Sequence, residues 1–170
     1  VTFMVNKMNK GTLEGSSPEK TVAFWDEVDD MRMATSALRI VLDNAKRRVA
    51  GMKKAIAVTN IKPGDLDKKV YSINQQLLDI NERLYGNRSK NEIGEKTKPT
   101  VMSRLRSASS GVKNSTYGPT PTHIRSLDIA KSEFKKILIV LENIIELEIP
   151  ALEKQLIDAG APWMEGQEIH

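Results

Sequence analysis

The sequence predicts an all-α protein: an antiparallel up-down-up-down four-helix bundle with two long helices, over about 17–58 and 121–159, the second kinked near Pro150. Three observations carry that expectation. Phe24, Val28, Met31, Thr35, Leu38, Leu42, Ala45, Val49, Met52 and Ile56 recur at alternating steps of four and three, and all but Thr35 are apolar. Only a helix places such a series on one face. A second stretch, from Leu127 to Leu147, is apolar on more than one side and so needs two or three neighbours, and Leu152 and Leu156 resume its apolar face beyond Pro150. Between the two, Pro63-Gly64, Gly86 and Gly118-Pro119 cut the chain into two shorter amphipathic pieces.

The first residues follow a different pattern. Val1, Phe3 and Val5 alternate with Thr2, Met4 and Asn6, the period of a strand, and Gly11 and Gly15 follow as turn signals. Residues 1–15 are read as the remnant strand and hinge of a preceding β domain, and 16–170 as the helical domain; an unstructured tail is the other reading of 1–15. The absence of an initiator Met agrees with an excised piece or a mature product.

Ser17-Pro18-Glu19 gives the first helix an N-cap, a proline at the first helical position and acid in the first turn. Trp25 flanks its seam. Asn60 to Gly64 ends the pattern, and Asp65 is placed to cap a second helix with Leu66, Val70, Ile73, Leu77, Ile80 and Leu84 on one face, stopping at Tyr85-Gly86. Residues 87–99 are polar and read as a solvated connection. A shorter helix starts at Pro99 or Thr100 with Val101, Leu105, Ala108 and Val112 inward. Gly118-Pro119-Thr120-Pro121 cannot be helical, and Thr120 or Thr122 caps the last helix. Pro150 interrupts that helix, Gly160 ends it, and Trp163 is expected to fold back onto its end.

Composition bounds the function. Charged residues make up 28% of the 170 and hydrophobic ones 39%, a globular balance, and the longest apolar run, Ile137 to Leu141, is too short to span a bilayer. No membrane span is expected. No cysteine is present, which removes disulfides, thiolate metal sites and cysteine nucleophiles together. Acids (Glu19, Asp26, Glu27, Asp29, Asp30) crowd the start of the first helix and bases (Lys46, Arg47, Arg48, Lys53, Lys54) its end, as the helix macrodipole favours. In an alternating bundle the last helix would end beside the acidic start of the first. Glu142, Glu146, Glu148, Glu153 and Asp158 would then join those acids and give the molecule a large dipole.

Catalytic, cofactor and metal sites are not expected, and no cofactor is implied. The histidines are His123 and His170, and Thr120 and Gln167 stand where a di-iron bundle needs glutamate. Ser107, Ser109 and Ser110 have no histidine nearby, and Gly86, Gly94 and Gly111 are too far apart to cradle a phosphate. Asp29 and Asp30 lie outside the seam and read as hydrated acids. The bases Arg88, Lys90, Lys96, Lys98, Arg104 and Arg106, with those ending the first helix, could meet phosphates. Aromatic residues are only 5% of the chain and none interleaves with them, so a solvated face is the simpler account and nucleic acid ranks below it.

Tyr117-Gly118-Pro119-Thr120-Pro121-Thr122, Phe134, Leu141, Ile149-Pro150-Ala151-Leu152-Glu153-Lys154-Gln155-Leu156 and Ala159-Gly160-Ala161-Pro162-Trp163 resemble the C-terminal helical domain of bacterial sortilin-like (VPS10-type, BNR-repeat) β-propeller proteins. Those are often labelled glycosyl hydrolases. Val1 to Val5 resembles the last strand of the β-sandwich that precedes that domain. The resemblance implies a non-catalytic accessory or interaction module of a larger exported protein, periplasmic, outer-membrane-associated or secreted, with any glycan chemistry in the propellers. Its implied partners are adjacent β domains, met through Trp25, Trp163 and the strand, which could also self-associate. The alternative is a free-standing helical bundle that binds a charged protein or nucleic acid.

Overall fold

The computed structural model describes residues 2–4, 14–58, 64–112, 115, 117–162 and 164, and these are all-helical, with no strand among them. Helix α1, Pro18–Val58, spans about 60 Å at 1.5 Å per residue. The Ser17 hydroxyl caps it, accepting from the Lys20 N–H at 3.3 Å. The seam is buried as its spacing requires, with Leu42 and Met52 wholly inaccessible. Helix α2, Asp65–Tyr85, stops where Gly86 takes φ +91°; its N-cap is Gly64, so Asp65 sits in the first turn rather than at the cap. Within the polar connection a short helix α3 forms, Arg88–Glu92, capped by Asn87. Helix α4, Val101–Ser109, is capped by Thr100. Helix α5, Pro121–Asn143, opens on a capping box between Thr120 and His123. It passes through a π turn, Ile144–Glu148, into α6, Ile149–Asp158.

Long-range polar contacts fix the directions of these rods. Lys131 pairs with Glu27, and Arg48 with Glu153, so α1 and the α5–α6 rod keep a constant offset along the chain and run parallel. Their starts also meet, because the Ser16 N–H donates to the Tyr117 carbonyl at 2.8 Å. Helix α2 runs against both: Lys46 meets Asn81 while Tyr85 reaches the Thr35 carbonyl, and Lys69 meets Gln155 while Arg83 meets Glu133. Helix α4 continues the line of α2. A Cβ built at Gly86 would lie 3.5 Å from Thr100 Cγ2, and α4 packs mainly along α5. The architecture is therefore two parallel rods closed by a third that runs the other way in two pieces, α2 and α4.

This arrangement corrects the expected up-down-up-down bundle. The shorter helices do share the cover of the long pair, but they do so in one direction, because the chain leaves the line at Gly86 and rejoins it at Thr100. The expected dipole fails for the same reason. Glu27 in the acidic start of α1 pairs with Lys131, and Arg48 in its basic end pairs with Glu153, so the acids of the last rod lie beside the bases of α1 rather than beside its acids. Residues 2–4 are exposed and in no strand; Val1 and residues 5–13, which hold the rest of the expected remnant, lie outside the described residues, as do Trp163 and His170.

The irregularity expected at Pro150 takes the form of the π turn. Buried positions on α5 follow Leu127, Ala130, Ile137, Leu141 and Ile144 at helical steps, then resume at Ile149, Leu152 and Leu156. The step from 144 to 149 is five residues, one more than an α-helix allows for a shared face. The Ile149 N–H bonds back to the Ile144 carbonyl, and the extra residue brings the second series into register with the first. Pro150 has no N–H to donate, so the turn sits where the α ladder is already interrupted. No helix among the described residues is long and apolar enough to cross a membrane.

Candidate functional site

The break between α2 and α4 opens a cavity. Because the chain departs at Gly86 and returns at Thr100, the segment between them and α5 bound a half-open groove of about 760 Å³. Val101, Ile129 and Ala130 supply apolar wall, and charged groups from all sides supply the rest. The volume falls within the range of about 300–1,000 Å³ usual for small-molecule sites.

Charges in this cavity are unevenly paired. The Lys90 ammonium donates to Glu82 at 2.8 Å, a bond that holds the Glu82 carboxyl below its ordinary value and raises Lys90 above its own. Glu133 accepts from Lys136 at 2.8 Å and from Arg83 at 3.2 Å, and those two bonds lower its pKa. Arg83 also lies 3.9 Å from Asp79. Lys96, Lys98 and Arg104 make no ion pair among the described residues. Arg104 Nε is buried and donates no hydrogen bond among the described residues.

The second charged feature is a buried fork. Arg48 Nε and Nη2 donate to Oε1 and Oε2 of Glu153 at 3.0 and 2.8 Å, with side chains only 16% and 10% exposed. Two parallel charge-assisted bonds give this pair a fixed geometry, so it acts as a register pin between α1 and α6.

Other residues singled out in the sequence have structural surroundings. His123 Nδ1 accepts from the Thr120 N–H at 3.2 Å and serves the helix start. Trp25 packs part-buried against the core, and its buried Nε1 has no hydrogen-bond partner among the described residues. Ser109 Oγ accepts from Arg32 at 2.8 Å, while Ser107, Asp29 and Asp30 are exposed. Arg88 pairs with Glu92, and Arg106 is exposed. Among the described residues no three His, Asp or Glu side chains stand together as metal ligands. The basic residues of the connection were legible as a group; the groove was not, because nothing in the sequence says that Gly86 and Thr100 meet.

No protein-family model, curated protein or solved structure matches this chain.

Proposed function

We infer that the chain is a non-catalytic helical interaction module, the accessory end piece of a larger exported β-propeller protein, held at a set angle to the β domain before it. The observation that carries this reading is the clasp at the start of the helices. Ser16 bonds Tyr117, and a Cβ built at Gly118, whose φ is +76°, would lie 2.5 Å from Thr21 Oγ1 and 2.8 Å from Ser16 Cβ. A Cβ at Gly15 would meet the Tyr117 Cα at 2.9 Å. The Tyr117-Gly118 pair that opens the family-like motif thus grips the backbone by which a preceding domain would be joined.

Two observations test it. The reading frame upstream of Val1 should encode a β-rich propeller or sandwich; an upstream helical or unrelated enzyme domain overturns the proposal. In the joined protein, hydrogen exchange at residues 15–17 should rise in Gly118→Ala, and the spread of interdomain angles seen by small-angle scattering should widen. An unchanged spread with a broken clasp would refute the role given to it.

A further inference from the structure

We propose that the cavity at the α2–α4 break binds a phosphate-bearing small molecule, held by Arg104, Lys96 and Lys98. The argument starts from charge. Six cations line the cavity, Arg83, Lys90, Lys96, Lys98, Arg104 and Lys136, against four acids. Glu82 is occupied by Lys90, and Glu133 and Asp79 by Arg83 and Lys136, which leaves Glu95 as the one acid of the four without an ion pair among the described residues. Three cations, the exposed Lys96 and Lys98 and the part-buried Arg104, therefore line one half-open groove with no carboxylate bonded to them among the described residues. Like charges gathered in that way repel, and an anion between them relieves the repulsion.

Arg104 sharpens the assignment. Its side chain lines the groove, and its buried Nε has no hydrogen-bond partner among the described residues, which leaves the guanidinium without an acceptor of its own. A guanidinium presents parallel N–H donors that fit two oxygens of a phosphoryl group, which a halide or a single carbonyl cannot match. Arg104 stands in the first turn of α4, where the helix N-terminus adds a partial positive charge of the same sense. The apolar wall of Val101, Ile129 and Ala130 gives the organic part of such a ligand a surface, and the volume exceeds what a bare ion would need. This inference does not depend on the accessory-module reading, and either can fail alone.

Titration calorimetry of the whole chain with inorganic phosphate, pyrophosphate and a nucleoside monophosphate tests it. Binding should be detected for the phosphates and be tightest for the organic ester, weakening about tenfold or more in Arg104→Gln and in Lys96→Gln/Lys98→Gln, since each lost charge-assisted bond is worth at least that factor. The lysine pair is exposed and makes no ion pair among the described residues, so its variant keeps the helical circular dichroism and remains informative if Arg104→Gln unfolds. Arg106→Gln, on the same helix but exposed, should bind as the parent does. No heat with any of the three at millimolar concentration overturns the proposal. So does an equal loss in Arg106→Gln, which marks diffuse attraction, and so does preference for a DNA duplex unaffected by these substitutions.

Discussion

Glu153 shows how one side chain can be charged, inward-facing and still compatible with a packed core. Its two oxygens are both taken by Arg48, so neither charge is left bare. Removing one partner strands the other in a poorly solvated place. Arg48→Met or Glu153→Leu alone should cost about 3 kcal/mol in urea denaturation, whereas the double variant should recover to within about 1 kcal/mol of the parent. A double variant as weak as either single would mean that the fork itself holds the rods together. Glu133 governs a different response. Bonds from Lys136 and Arg83 lower its pKa, so its contribution to stability is present above the ordinary carboxyl range and lost as pH falls through the folded value. The acid limb of stability against pH should therefore be shallower in Glu133→Gln. Identical limbs would contradict the pairing.

At the scale of an element, the π turn explains why the last rod survives Pro150. Ile144 to Ile149 is a five-residue step in the buried series, and the sequence displays that step openly among its apolar residues. Reading the stretch as a wide apolar stripe hid it, because Ile139, Val140 and Leu147 are apolar yet exposed and blur the period. Deleting exposed Glu146 together with Pro150→Ala should turn the rod into a continuous α-helix with Ile149, Leu152 and Leu156 still inward. Its stability should stay within about 1 kcal/mol of the parent. Deleting Lys135 instead rotates everything after it by about 100° and should abolish cooperative unfolding. If both deletions behave alike, the turn does not set the register.

For the whole molecule, helix existence and most helix ends were legible in the sequence. Ser17, Thr100 and Thr120 cap α1, α4 and α5 as their residue types require, and Gly86 ends α2. Direction was not legible. Alternation follows from short connections only when each connection reverses the chain, and 87–100 does not: it loops out, forms α3, and returns to the line it left. The seams themselves say nothing about which rod lies parallel to which, since an apolar stripe buries equally well either way. Charge carried the missing information, for the acidic start of α1 matches Lys131 and its basic end matches Glu153 only if α1 and α5–α6 run together.

The most direct test of that topology is a distance between spin labels at Asp26→Cys and Asp158→Cys, both exposed and in a chain with no other cysteine. Parallel rods place the two labels at opposite ends, about 40 Å apart at 1.5 Å per residue. A distribution centred below about 20 Å, as neighbouring ends of antiparallel rods would give, would contradict the account.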